Sequence, residues 1–268
     1  MIKLIVSDLD GTLVNDKKEF APDFFDILKK LNEKDIKFTI ASGRSQYTLE
    51  KVFTPMEKEV YYISDNGGYI KGSGIEKVIL PLTREQAQKT VQEALKIEKL
   101  QIIMCAKDKA YFVRPDFEYI AEISQYYINY EIVDDYEKIN EQILKIAIHD
   151  PLGSAKNGYP KIKDKLDKDL IAVVSAPDWL DVMNKDLNKG VALSHLQKHF
   201  CISPDETMVF GDFNNDIEML KEAKYSFAMS NANSAVKASA NFVAPSNNEF
   251  GVVQMIKNIG ENGEGGTF

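Results

Sequence analysis

The sequence predicts an α/β protein: a parallel-sheet core interrupted by a separate α+β insertion. Three observations carry that expectation. Apolar, β-branched runs near both ends of the chain close in short polar turns, as in "IKLIVSDLDG", "KFTIASGR", "TMVFGDFNND" and "YSFAMSNANS", the pattern of strands buried on both faces of a parallel sheet. Between the first two, "APDFFDILKKLNEKDI" sets Phe24, Ile27, Leu28 and Leu31 at helical spacing, with Pro22 near the first turn. The middle of the chain, from about Leu82 to Lys185, instead mixes hairpin-like strand pairs with helices.

Taken in order, Ile2 to Ser7 is the first strand, ended by Asp8 to Gly11. Strand, helix and strand joined by right-handed crossovers lie in one parallel sheet, with their C-terminal tips along one edge. "VYYISDNGG", from Val60 to Gly68, adds a third strand, and its Asp-Asn-Gly-Gly signals a hairpin into Tyr69 and Ile70. The insertion reads as helix "TREQAQKTVQEALK", strands "QIIMC" and "AYFV" around a Lys-Asp turn, helix "DFEYIAEISQYYI", strand "ILKIAIH", helix "YPKIKDKLDK", and strands "LIAVVSA" and "WLDVMN". Tyr126, Tyr127 and Tyr130 are expected to pack in its interior. The predicted domains are therefore a core of residues 1–81 and 186–268 and an insert of 82–185, hinged at Pro81 and around Asn184 to Asn188. The Gly-rich tail "ENGEGGTF" is expected to fray.

Composition narrows the function classes. A net charge of -8 over 268 residues disfavours nucleic acid and anionic membrane surfaces as partners. Cys105 and Cys201 have no C-x-x-C spacing, which argues against a zinc site or a disulfide framework. No apolar run approaches a membrane span, and the N-terminal run is too short for a signal peptide. The expectation is a soluble, cytoplasmic protein with a small-molecule or protein partner, its oligomeric state left open between monomer and weak dimer.

The chemistry concentrates at the predicted strand ends. Asp8 and Asp10 stand two apart at the first tip, where paired carboxylates are unfavourable unless a cation neutralises them or one holds a proton. Both conditions are useful: Mg²⁺ makes one carboxylate a tolerable nucleophile toward an anion, and a proton-sharing partner can act as general acid and base. Gly11 permits the tight turn and the Thr12 hydroxyl can tie it. Ser42 and Gly43 follow the second strand, where a hydroxyl and an amide can meet a phosphate oxygen. Lys189 precedes a predicted helix, and "GDFNND" offers Asp212, Asn215 and Asp216 as oxygen ligands. Singly, each has an ordinary reading: an Asp-Gly turn, a Ser-Gly helix entry, a solvated lysine, an acidic helix cap. Together, a nucleophile, an acid/base, a hydroxyl anchor, a cation and metal ligands form a set for phosphoryl transfer. His195 and His199, at i and i+4 without zincin spacing, read as surface or packing residues.

With these motifs in view, the sequence resembles the haloacid dehalogenase superfamily, and within it the Cof-type phosphatases of subclass IIB. "DLDGT" is similar to motif one, "ASGR" to motif two, "NKG" to motif three and "GDFNND" to motif four, over essentially the whole chain. The resemblance implies a Rossmann-like core with an inserted α+β cap that closes over a small phosphorylated metabolite, sugar phosphates first among the candidates. It implies that Asp8 attacks phosphorus, that Asp10 handles the proton, and that Leu9 (through its amide), Ser42, Gly43, Lys189 and Asn215 hold the phosphoryl group. Mg²⁺ would be held by the Asp8 carboxylate, the Asp10 carbonyl and Asp212, with Asp216 behind them. Thr12, Arg44 and Asn66, and from the insert Asp181 and Asn184, are further candidates near the site or the substrate. "AMSNA" departs from the family's usual Ala-Met-Gly-Asn-Ala, and "SDNGG" adds an acidic residue. A phosphomutase or phosphotransferase using the same intermediate is the alternative; from another class, so is a phospho-accepting signalling domain.

Overall fold

The computed structural model describes residues 1–261, with side chains to Lys257; the tail expected to fray lies, from residue 262 on, outside the described residues. In chain order the strands are β1 (Leu4–Ser7), β2 (Lys37–Ala41), β3 (Tyr61–Ser64), β4 (Tyr69–Gly72), β5 (Ile75–Val78), β6 (Gln101–Ala106), β7 (Ala110–Val113), β8 (Tyr130–Val133), β9 (Ile143–His149), β10 (Leu170–Ala176), β11 (Trp179–Asn184), β12 (Thr207–Gly211), β13 (Tyr225–Met229) and β14 (Phe242–Ala244). The helices are α1 (Phe24–Glu33), α2 (Gln46–Val52), α3 (Arg84–Ala94), α4 (Phe117–Ile123), α5 (Gly158–Ile162), α6 (Lys189–Phe200), α7 (Ile217–Lys221), α8 (Ser234–Ser239) and α9 (Gly251–Glu261). Among the described residues, no helix is long and apolar enough to cross a membrane.

The chain divides into two compact units: unit 1 is Met1–Gly43, Val52–Lys77 and Asn188–Phe268, and unit 2 is Arg44–Lys51 and Val78–Leu187. The expected limits at 81/82 and 185/186 thus shift by a few residues. A larger correction concerns Arg44–Lys51, expected in the core but grouped with unit 2. The reason is local packing: Tyr47 lies against an apolar cluster that includes Tyr127 and Trp179, and the Thr48 hydroxyl donates to the Tyr126 carbonyl at 3.4 Å.

Unit 1 is built on an eight-stranded sheet in the order β14-β13-β12-β1-β2-β3-β4-β5. From β14 to β3 every neighbouring pair is parallel, and β4 returns antiparallel with Ile70 opposite Ile63. Strand β1 is central, so Leu4, Ile5, Val6 and Ser7 are all fully buried. Its side chains face apolar layers on both sides of the sheet, which is why the run needs no polar alternation. Helix α1 covers one face with Phe24, Leu28 and Leu31, and Phe24 meets Phe38 of β2 at 5.5 Å between ring centroids. Strand order reverses beside β1, since the chain passes to β2 on one side and later to β12 on the other. That reversal opens a crevice at the strand tips, the usual ligand position in open α/β sheets.

Unit 2 carries a six-stranded sheet in the order β10-β11-β9-β6-β7-β8, antiparallel except between β7 and β8. One face packs Val91 of α3 and Ile162 of α5 against Ile102, Ile146 and Leu180; the other buries Ile103, Phe112, Ala147 and Trp179 with Ile123 of α4. Helix α3 starts where Thr83 and Gln86 form a reciprocal capping box. The helix expected over "DFEYIAEISQYYI" stops at Ile123, and β8 follows where none was expected. Edge pairing to β7 creates this strand, because Tyr130, Glu131 and Ile132 remain exposed and supply no apolar alternation. Of the three expected interior tyrosines, only Tyr127 is buried; Tyr126 and Tyr130 stay more than a third exposed, with Tyr130 stacked on Phe112.

Candidate active site

The residues at the tips of β1 and β12 and at the start of α6 meet in unit 1. Asp8 directly follows β1 and is anchored by its amide, which donates to the Phe210 carbonyl at 3.0 Å. Lys189 opens α6 behind Asn188, whose side chain caps the helix by accepting from the Val191 amide at 2.9 Å. The Lys189 ammonium is fully buried and donates to Asp8 Oδ1 at 2.6 Å and to Asp216 Oδ1 at 2.7 Å. Asp216 Oδ2 in turn accepts from the Asp212 and Phe213 amides at 3.0 Å each. Both Asp216 oxygens are therefore engaged, and Gly211 is needed beside them because a Cβ there would lie 2.8 Å from the Asp216 carboxyl carbon.

Asp212 is held from the first motif. The buried Thr12 hydroxyl donates to Asp212 Oδ1 at 2.7 Å. Gly11 adopts φ +82°, and a Cβ there would lie 2.9 Å from the Asp212 carboxyl carbon, so the turn needs glycine for both conformation and space. The Leu9 carbonyl closes this turn by accepting from Leu13 and Val14. The Asp10 carboxylate stands apart, paired to Lys18 at 2.7 Å on a more exposed side.

The tips of β2 and β3 form the other wall. Ser42 is buried, donates its amide to the Ile63 carbonyl at 2.8 Å, and accepts from the Asn66 amide at 3.0 Å. Asn66, itself left-handed at φ 57°, takes a hydrogen bond from Asn215 Nδ2 at 2.9 Å, and its side-chain amide borders Gly43. This joins Ser42, Gly43, Asn66 and Asn215 in one linked surface. Arg44 belongs to unit 2, as do Asp181, which pairs with Lys145 at 3.3 Å, and Asn184. Sequence reading did not single out Lys18, and it gave Asn188 only as part of the hinge region and of the "NKG" motif. The Asn-Lys-Gly order before α6 carried a capping signal for Asn188, whereas no spacing rule links Lys18 to Asp10.

Electrostatics favours a cation here. One buried ammonium faces two carboxylates, leaving excess negative charge. Burial pushes Asp8 up to about 8, with the Lys189 charge working against the shift and Asp216 adding to it. Burial likewise raises Asp212 to about 6, although the Thr12 hydrogen bond opposes it. Lys189 loses charge stability by burial, but Asp216 and Asp8 outweigh that and hold it above the ordinary lysine range. Asp8, Asp212 and Asp216 each bring an oxygen within 4.8 Å of the others. This all-oxygen, net-negative donor set fits a hard divalent cation, with Asp8 and Asp212 the carboxylates least committed elsewhere.

Comparison with known proteins identifies the family. The model of a family described as haloacid dehalogenase-like hydrolase matches residues 5–256. A 5-amino-6-(5-phospho-D-ribitylamino)uracil phosphatase of Escherichia coli is 30% identical over 260 residues, covering 96% of both chains. A Bacillus subtilis phosphatase of the same description is 24% identical over 95% of this chain and 96% of its own. Among solved structures, a haloacid dehalogenase-like hydrolase from Bacteroides thetaiotaomicron superposes with a TM-score of 0.85 at 26% identity, covering 97% of this chain and all of that one. The chain belongs to the haloacid dehalogenase-like hydrolases.

Proposed function

We propose that the protein is a Mg²⁺-dependent phosphatase that hydrolyses small sugar or sugar-alcohol phosphates through an aspartyl-phosphate on Asp8. The observation that carries this reading is the buried Asp8 carboxylate at the central strand tip, 2.6 Å from a fully buried lysine and within an oxygen-donor cluster. Asp8 Oδ attacks phosphorus, and the bond to the leaving alcohol breaks as Asp10 donates its proton to that oxygen. Asp10, now a carboxylate, accepts a proton from water, whose oxygen attacks the phosphorus of phospho-Asp8 and restores Asp8. Lys189, Ser42, the Gly43 and Leu9 amides and Asn215 bind the phosphoryl oxygens, and Asn66 orients Asn215. Positioned donors of this kind account for most catalysis of phosphoryl transfer. The Asp8 and Asp212 carboxylates and the Asp10 carbonyl would hold Mg²⁺, which when bound would neutralise negative charge on the substrate. Asp216 orients Lys189, and Thr12 orients Asp212.

The substrate class rests on two relatives named as phosphatases of a phosphoribitylamino-uracil. Unit 2 is the proposed cap and the source of specificity. A screen of phosphorylated metabolites with Mg²⁺, that compound included, tests the reading through kcat/KM. Asp8→Asn is expected to abolish phosphate release, and Asp10→Asn to slow turnover and accumulate phospho-Asp8, seen by intact mass. Substantial activity in Asp8→Asn removes it as nucleophile; transfer to an added sugar in preference to release marks a phosphotransferase.

A further inference from the structure

Unit 2 holds a second cluster of ionisable groups that hydrolysis at Asp8 does not use. His149, the last residue of β9, is 1% exposed. Its ring is flanked by Trp179 and Tyr119, at 5.1 and 5.6 Å between centroids. Its Nε2 faces two carboxylates from two other elements: Glu122 Oε1 of α4 at 3.3 Å, and Asp178 Oδ2 of the β10–β11 turn at 3.5 Å. Nδ1 is buried without a hydrogen-bond partner, so the polar contacts of this ring are directed at the carboxylate pair.

We propose that Glu122, His149 and Asp178 form a binding site for a divalent transition-metal ion of the zinc class. The first support is geometric. Separations of 3.3 and 3.5 Å exceed the usual N–H···O distance of about 2.9 Å. They match the edge of about 3.4 Å in a tetrahedron whose ligands stand about 2.1 Å from the metal. One donor atom from each residue lies within 4.8 Å of the other two, and the half-exposed carboxylates can close the remaining gap by rotation.

The second support is the donor set and its rigidity. A neutral imidazole with two carboxylates offers one nitrogen and two oxygens and cancels a 2+ charge, which suits zinc-like ions and not Mg²⁺, an ion that prefers oxygen throughout. The aromatic flanks hold the imidazole, the ligand with least freedom, already aimed at the site. With Nε2 on the metal, the ring proton sits on Nδ1. Three protein ligands leave a fourth position for water or another ligand. The ion would tie α4 and the β10–β11 turn to the end of β9.

The test is titration of chelator-treated, full-length protein with Zn²⁺ and Co²⁺ in the presence of excess Mg²⁺. Calorimetry reads the Zn²⁺ affinity, and visible absorption reads the Co²⁺ ligand field. Glu122→Gln and Asp178→Asn alter half-exposed side chains, and each is expected to weaken Zn²⁺ by at least on the order of tenfold. Asp8→Asn, which alters the oxygen site of unit 1, is expected to leave the Zn²⁺ equivalent in place. Equal Zn²⁺ affinity in the parent and both unit 2 variants overturns the proposal. So does the absence of micromolar uptake by the parent, or loss of the ion in Asp8→Asn alone.

Discussion

Replacing Lys189 by Met tests the electrostatic core of the site more directly than any other substitution. Methionine keeps much of the volume and removes the charge that lies 2.6 Å from Asp8 and 2.7 Å from Asp216. At an effective dielectric constant near 20, each contact carries a Coulomb attraction of about 6 kcal/mol when both partners are ionised. Most of that offsets the desolvation of three buried charges, so the net loss on breaking the cluster is about 3–5 kcal/mol. For a unit of this size the loss lowers Tm by on the order of 10 °C. The pH dependence has a definite sign. In the metal-free protein Asp8 is raised from 3.8 to about 8, so the folded state binds more protons than the unfolded state between those values, and stability falls as pH rises through the window. Lys189 is the charge that holds Asp8 down. Without it the folded-state value climbs further, so below about pH 7, where Asp8 is protonated in both folded proteins, the deficit of Lys189→Met is level, and it deepens as pH rises past about 8, where only the parent's Asp8 ionises against the ammonium. Thermal unfolding by circular dichroism from about pH 6 to about pH 9.5, with and without Mg²⁺, reads the effect. A variant melting within about 2 °C of the parent at about pH 9, or a deficit no larger there than at about pH 6, refutes the reasoning.

The same charges govern three further outcomes. Because Asp212 is raised to about 6 and Asp8 to about 8, protons compete with the cation, and the Mg²⁺ concentration for half-maximal activity should fall as pH rises from 6 to 8; a flat requirement in metal titrations contradicts this. Gly11→Ala places a Cβ against the Asp212 carboxylate at φ +82°, costing about 1–2 kcal/mol in backbone strain. Its main signature should be a Mg²⁺ requirement raised at least tenfold, and an unchanged requirement rules out the steric argument. Lys18→Met removes an exposed partner of Asp10, a pair worth at most about 1 kcal/mol. Tm should hold within a degree and kcat/KM within tenfold; a hundredfold loss in steady-state assays would mean that Lys18 touches substrate.

Legibility in the sequence followed the range of the interaction. Asp8, Ser42 and Asp212 were visible because each ends an apolar run, and a parallel sheet brings such ends to one edge. The central position of β1 was implicit in its unbroken apolar run, and the hairpin after Ser64 in Asp-Asn-Gly-Gly. Lys189 read alone as a surface residue, since a lysine opening a helix normally is. Its complete burial comes from Asp8 at the other end of the chain and from Asp216 across α6 and β12, contacts that no local spacing encodes. The same limit explains β8, created by pairing with β7 and not by its own pattern, and α2, claimed by apolar contacts of Tyr47 in unit 2. It also explains why Glu122, His149 and Asp178 attracted no notice, each standing on a separate element in no metal-ligand spacing. Chemistry carried by one strand tip is therefore written locally. Chemistry that needs charges from several elements becomes visible only when burial fixes which of them must neutralise one another. Lys189 between Asp8 and Asp216 is the case in point: its position in the chain suggested a solvated amine, and the cost of three buried charges is what requires it to be a ligand of both carboxylates.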